Sequence, residues 1–345
     1  MSETERLTLA EAEARVAAAC RRAGASPAAA VSLARATISA EAGGNTPVGL
    51  SHLIDYLAAL REGRINGGAE PVITSPAPAL IRSDADGGIA QLGFDLAFDD
   101  LVGKARSLGL ALFAQRGSFT SGELGYYPFR LAQKGLVSLA FTTGPALLTV
   151  EGATRPLYCT NPLAFAAPAG ADGPLLIDQA SSSTAYVNIR SAAERGETIL
   201  PGWAVDSQGH PTTDPHEAMR GALLAFGGSR GANIALMVEV LASGLSAANW
   251  SMDAPSFTEG DQSPGSGLTV IAIAPALLDE DFETRLAAQL KRLAEEGVHV
   301  PGITKAKWMK TAASAGIAVG KSLLQRIDGC VPPLRLTSTC NTTIT

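Results

Sequence analysis

Between Pro201 and Glu239 glycine and proline break the chain so often that only short elements fit, and the breaks mark where they begin. The stretch reads P-G-W-A-V-D-S-Q-G-H-P-T-T-D-P, then a short helix, then G-G-S-R-G-A-N-I-A-L-M-V-E. Pro201-Gly202, Gly209 and Pro211 fragment the first half. Asp214-Pro215 is an N-cap followed by proline at the first helical position, and Gly227-Gly228 opens a second helix. A glycine-rich turn feeding a helix leaves backbone N–H groups unpaired, and Arg230 sets a permanent positive charge in front of them. On local grounds this suits either a phosphate seat or a tight helix–helix turn with a solvated arginine.

The rest of the chain predicts an α/β or α+β pattern without an internal repeat or long linker. Thr8 to Glu11 fits a capping box that starts a helix with Leu9, Ala12, Val16 and Ala19 on one side, ending near Gly24. A second helix follows Ser26-Pro27 and stops at Gly43-Gly44; a third runs from about Ser51 to Arg61. Residues 79–82 read as a strand, 98–108 as a helix and 110–114 as a strand. From there strands at about 136–142, 162–167, 174–178, 203–206 and 268–274 alternate with helices at about 126–134, 184–195, 215–225, 231–243 and 276–296. The tail 331–345, with Pro332-Pro333 and a Ser/Thr/Asn run, reads as a loose end.

Of 345 residues 46% are apolar and 17% charged, enough for a large core in one large or two interwoven domains. A net charge of −6 argues against nucleic acid or an anionic membrane as a partner. No run of 18 apolar residues and no signal peptide is present, so a soluble cytoplasmic protein is expected. Cys20, Cys159, Cys330 and Cys340 form no CxxC pair and the four histidines do not cluster, which predicts reduced thiols and no metal. No G-x-G-x-x-G follows a strand, so the ordinary Rossmann fingerprint is absent.

Four segments in order resemble the type-2 malate/lactate dehydrogenase family of NAD(P)-dependent oxidoreductases. They are Thr160 to Pro168 (T-N-P-x-A-F-A-x-P in the family), Asp178-Gln179-Ala180-Ser181-Ser182 (D-x-A-[ST]-S), Leu200 to Pro215 and Gly227 to Glu239 (G-G-x-K-G-x-x-L-A-x-M-V-E). The likeness extends more weakly from about residue 5 to about residue 305. It implies a non-Rossmann NAD(P)-binding domain with a mostly antiparallel sheet, at 120–290. A helical N-/C-terminal lobe, 1–119 with 291–330, would complete a subunit of a homodimer. It also implies NADPH or NADH as cofactor and a small carboxylate as substrate. Expected cofactor contacts are Thr142 and Thr143 (the family has T-N-S at 142–144), Asp178 to Ser182, Gly228, Arg230, Gly231, and Pro301-Gly302. Arg230 replaces a lysine, keeping the charge on a planar fork. Ile303 replaces an acid.

The reacting centre departs from the pattern. The family's S-H-G-x-x-R, whose His and Arg serve as proton donor and carboxylate partner, aligns with Pro47-Val48-Gly49-Leu50-Ser51-His52. Its N-S-x-H-F-G-x-x-G-Y-Y aligns with Gly117 to Tyr127, where the histidine is Thr120. Neither histidine survives. Candidate replacements are His52 for the carboxylate or the proton, the hydroxyl cluster Ser118, Thr120 and Ser121, and Glu123, an acid that suits either an iminium or a helix's first turn. Asp178, at a predicted strand end, could face the reacting atom directly, and Tyr127 suits packing or donation. Ketone reduction needs a positioned acid, whereas a cyclic imine can arrive protonated as an iminium. The family includes cyclic imine carboxylate reductases, so loss of both histidines favours reduction of 1-pyrroline-2-carboxylate or 1-piperideine-2-carboxylate. A 2-oxo acid reductase of malate or lactate type and a non-catalytic nucleotide-binding member are the alternatives.

Overall fold

The first and last strands of the described residues are clipped together. In a computed structural model that describes residues 3–150 and 152–329, β1 (Thr4–Leu7) pairs antiparallel with a strand at Ile317–Gly320, so Leu7 lies opposite Ile317. The expected loose tail, Cys330 and Cys340 lie outside the described residues. Next come α1 (Leu9–Arg22), α2 (Pro27–Ala42) and α3 (Leu50–Glu62). The capping box is formed in full: Thr8 accepts from Glu11 N, and Glu11 takes the Thr8 N–H at 2.9 Å. Ser26 caps α2, with Pro27 at the first helical position.

The central layer is built from β2 (Val72–Ala77), β3 (Leu80–Asp84), α4 (Ala90–Leu108), β4 (Leu110–Ser118), α5 (Tyr126–Ala132), β5 (Val137–Thr142), β6 (Leu148–Thr149), β7 (Leu163–Ala167) and β8 (Leu175–Gln179). There follow α6 (Tyr186–Arg195), β9 (Ala204–Val205), β10 (Pro211–Thr212), α7 (Pro215–Arg220), β11 (Ala222–Leu224), α8 (Ser229–Glu239) and β12 (Ser266–Ile273). The chain closes with α9 (Phe282–Glu295), α10 (Ile303–Ala315), β13 (Ile317–Gly320) and α11 (Lys321–Asp328). A seven-stranded sheet runs β2-β3-β4-β12-β5-β7-β8, antiparallel at every pairing but β3 with β4. A smaller sheet, β10-β9-β11-β6, carries the glycine- and proline-broken block. The expected non-Rossmann, mostly antiparallel architecture with a helical N-/C-terminal lobe is what the chain forms.

The two largest apolar cores among the described residues lie among the terminal helices and under the large sheet. One joins α1, α2 and α3 to Ile317, Val319, Leu324 and Ile327 from the C-terminal end. The other packs α4 and α5 on the large sheet through Phe94, Phe113, Leu131 and Val270, with Phe94 edge-on to Tyr127 at 4.9 Å. The large sheet continues across residue 120, because β4 pairs with β12.

Several expected elements are corrected. α4 begins at Ala90, not 98, because burial of Ala90, Leu92 and Phe94 outweighs the glycine at 93. The helix expected over 215–225 stops at Arg220, and 222–224 is a strand. The helix expected over 276–296 starts at Phe282, after a 3-10 turn at 275–277. β1, β2, β6, β10, β13, α10 and α11 had no counterpart in the sequence reading.

Candidate active site

Three of the four matched segments, those of Asn161, Ser181 and Glu239, meet in one buried knot. Asn161, at φ 36°, takes the left-handed backbone that asparagine tolerates best after glycine. Its Nδ2 donates to the Ala235 carbonyl and to Glu239 Oε2, each at 2.7 Å. Ser251 donates to Glu239 twice, at 2.7 Å from its backbone and 2.8 Å from its hydroxyl. Ser181 donates its hydroxyl to the Asn161 carbonyl at 2.7 Å, while its own carbonyl accepts the Phe226 N–H at 3.1 Å. A buried carboxylate with three donors is satisfied, so the knot fixes α8 against β7 and the loop after β8.

That fixation aims the start of α8. Gly227, Gly228, Ser229 and Arg230 are exposed, and among the described residues the Ser229 and Arg230 backbone N–H groups have no hydrogen-bond acceptor. Gly227 and Gly228, with Gly152, Gly202, Gly209 and Ser183, line a recess of about 450 Å³. The donors, the absence of side chains and the Arg230 charge together fit the phosphates of a nicotinamide dinucleotide. Of the other expected cofactor contacts, Gln179 is exposed at the end of β8 and Ala180 half-buried. Ser181 and Ser182 are buried, the latter donating to the Thr184 carbonyl at 2.7 Å. Thr142 donates to the Gly267 carbonyl at 2.8 Å, and Thr143 shares a 2.7 Å bond with Ser243. Gly231 is buried in the first turn of α8. The Pro301 carbonyl accepts the Leu176 N–H at 3.3 Å, and Gly302 packs on Pro174 and Leu176. This docks the segment before α10 on β8.

Asp178 stands on β8 opposite Ala164, and its Oδ2 accepts the Gly125 N–H at 2.7 Å. Only glycine admits this approach, since a Cβ at 125 would sit 2.9 Å from that oxygen. Asp178 keeps part of its surface exposed, while its carboxyl is largely shut off from water. Desolvation, reinforced by the charge of Glu123 and opposed by the Gly125 N–H and Lys305, pushes its pKa up to about 6. Glu123 is buried; its Oε2 meets Lys305 Nζ at 2.6 Å and its Oε1 accepts from Asn45 Nδ2 at 3.0 Å. Lys305 and Asn45 were not singled out from the sequence. The substitution of the family's P-G-E acid by Ile303, two residues before Lys305, was the only hint nearby.

The other candidates separate. Tyr127, read as packing or as a donor to substrate, is wholly buried and donates to the Ser121 carbonyl at 2.7 Å, which fits the packing role. Ser118 is also buried and donates to the Ser266 carbonyl at 2.9 Å. Thr120 is half-buried and donates to Tyr56 Oη at 2.7 Å; burial holds the Tyr56 hydroxyl's pKa up at about 12. The Ser121 carbonyl accepts from Tyr127 and Gln91. His52 is bonded through Nδ1 to Asp55 at 2.9 Å and lines a cleft of about 770 Å³ with Pro47, Val48, Arg155, Tyr186 and Arg190. Asn45 begins the turn that carries Pro47 and Val48 to that cleft.

A profile of the malate/L-lactate dehydrogenase family matches residues 7–328. The chain belongs to the malate/L-lactate dehydrogenase family. Among the relatives, a (2R)-3-sulfolactate dehydrogenase (NADP(+)) of Chromohalobacter salexigens is 38% identical over 78% of this chain and 81% of its own. A Δ1-pyrroline-2-carboxylate/Δ1-piperideine-2-carboxylate reductase of Pseudomonas putida is 34% identical over 88% of this chain and 91% of its own. The crystal structure of Δ1-piperideine-2-carboxylate reductase from Pseudomonas syringae superposes with a TM-score of 0.91 at 31% identity, over 95% of this chain and 100% of that one.

Proposed function

We propose that this malate/L-lactate dehydrogenase family member is an NAD(P)H-dependent reductase of a cyclic imine 2-carboxylate, converting 1-pyrroline-2-carboxylate or 1-piperideine-2-carboxylate to proline or pipecolate. It is an NAD(P)-dependent oxidoreductase, and its relatives include reductases named for these two substrates. One observation carries the reading: the acid facing the open side of β8 is Asp178, with Gly125, Glu123 and Lys305 as its partners and no histidine among them.

The bound cofactor supplies a hydride to the carbon of the C=N bond. Gly228, Arg230 and the Ser229 N–H would hold its phosphates, with Gln179 and Ala180 beside the nicotinamide half. The chain supplies the proton. A carboxylic acid held near neutrality can give its proton to an imine nitrogen of similar basicity, and its carboxylate then stabilises the iminium until hydride arrives. The nitrogen keeps the proton in the product amine, and Asp178 regains one from water. Thr120 and His52, which both pack against Tyr56, are the groups we assign to the substrate carboxylate.

His52 favours a second reading, a 2-hydroxy acid dehydrogenase. It stands in the cleft with Asp55 as its partner, an arrangement that orients an imidazole for proton delivery to a ketone. We place the cofactor on the 120–290 segment and propose a cytoplasmic homodimer; Leu236, Met237, Val240 and Leu245 form an exposed apolar ridge suited to a second copy. Among the described residues no helix is long and apolar enough to cross a membrane. The test is loss of reduced-nicotinamide absorbance with both cyclic imines, pyruvate and oxaloacetate. Turnover of the imines alone supports the first reading. Turnover of keto acids alone replaces it by the second, and nucleotide binding without any turnover leaves a non-catalytic member.

A further inference from the structure

A buried ion pair is costly to build, because each charge surrenders water before it gains its partner. Glu123 and Lys305 form one at 2.6 Å, with side chains only 4% and 11% exposed. Packing does not demand it. α5 is already seated on the sheet by Phe129 and Leu131, and α10 is held by Ala306, Ala312 and the Pro301 carbonyl.

The pair sits beside Asp178 instead. Glu123 lies two residues before the Gly125 N–H that holds Asp178. Both Glu123 oxygens are occupied, one by Lys305 and one by Asn45, so the carboxylate cannot swing away. Lys305 is itself guided. Its ammonium lies 5.7 Å from the Phe129 ring centroid, and its stem runs over Gly43, where a Cβ would come within 2.7 Å of Cε. The charged groups facing Asp178 are Glu123, from the segment before α5, and Lys305, from α10; its neighbour on β7 is Ala164.

We propose that Lys305 is a positioning residue of the active site: paired with Glu123 on the segment that holds Asp178 through Gly125, it offsets the like charge that Glu123 sets beside Asp178. Desolvation first, and then the like charge of Glu123, favour a proton on Asp178, and Lys305 opposes both. The proposal rests on the reading of Asp178 as the reaction's acid. The two charges oppose each other at Asp178, so removing them must displace its titration in opposite directions. A strut between α5 and α10 would not do this.

The experiment compares the full-length chain with Glu123→Gln, Lys305→Met and Lys305→Arg. Two readouts are taken: the pH profile of kcat/KM for cyclic imine reduction, and a carbon-13 NMR titration of the Asp178 carboxylate in the free protein, assigned with Asp178→Asn. Glu123→Gln should lower the Asp178 midpoint by about one pH unit, and Lys305→Met should raise it by a similar amount. Lys305→Arg, which keeps the charge, should restore the wild-type midpoint. Midpoints that stay put, or move together while both variants merely lose thermal stability, overturn the proposal. If Lys305→Met does not fold, Glu123→Gln decides alone, since failure to lower the midpoint is fatal. If the imines are not turned over, the proposed substrate falls, whereas the NMR titration still judges the role of Lys305.

Discussion

In the turn before α8, the groups that would meet a phosphate come from neighbouring residues, Gly227 to Arg230, and they are exposed. Around Asp178 they come from positions 45, 123, 125, 178 and 305, on segments that only the folded chain brings together. The first is a local conformation backed by a buried knot. The second is a set of charges held by long-range contacts. A local seat can be carried intact from protein to protein as a string of residues, whereas a corner assembled from distant segments can change its chemistry one position at a time. The family likeness fits that difference: it implies that both histidines are replaced at the corner, while the α8 turn keeps its glycines and its positive charge, as Arg230 for lysine.

The comparison breaks if the two regions fail to separate in function. Asp178→Asn should cut kcat for the imine by about 10²–10⁴, the usual worth of a positioned acid, with nucleotide affinity little changed in a fluorescence titration. An equal loss of nucleotide binding would mean that the corner and the turn are one unit. Asn161→Ala removes a donor from buried Glu239 and should lower unfolding stability by about 2 kcal/mol, read from urea melts. It sharpens the contrast if nucleotide affinity drops with it, since the knot is what aims the turn. Arg230→Gln should weaken NADPH binding by about tenfold and leave kcat at saturation nearly unchanged. A fall in kcat instead would put Arg230 in the chemistry. His52→Gln should alter imine kcat by less than about threefold, and a collapse would favour the ketone reading.

The smallest expected effect is thermal. The folded pKa of Asp178, about 6, is above its ordinary value of 3.8. The folded state therefore favours the protonated form, and the resulting stabilisation is complete below the unfolded value and is lost as pH rises through about 6. Asp178→Asn cannot ionise and should melt slightly above the wild type at pH values above that point, by less than the full shift implies because solvent screens a part-exposed carboxyl, with the gap closing in acid. A gap that widens in acid would have the sign wrong and would remove Asp178 from its desolvated setting.

Elements with their own start and stop signals were legible residue by residue. Thr8-Glu11, Ser26-Pro27 and Asp214-Pro215 each cap the helix expected of them, because a cap is satisfied within three residues of itself. α10 was not legible. Its buried residues are only Ala306 and Ala312, amid Lys305, Lys307 and Lys310, so no apolar stripe announces it. Ser118 and Tyr127 were chosen for chemistry their types can perform, but the sheet and α5 turn both inward, and no local pattern records that direction.

The sequence by itself determined the capped helices and the family motifs, because each is written in neighbouring residues and, for the caps, in hydrogen bonds that close over short spans; the mostly antiparallel sheet followed only from the family likeness, since β12 pairs with β4 and β5 across more than a hundred residues. Only the tertiary structure decided that Asp178, Glu123 and Lys305 share one corner. Their pairing depends on the glycine at 125 and on the docking of 301–302 against β8, contacts between residues more than fifty positions apart, and charge interactions of that kind act through space rather than along the chain.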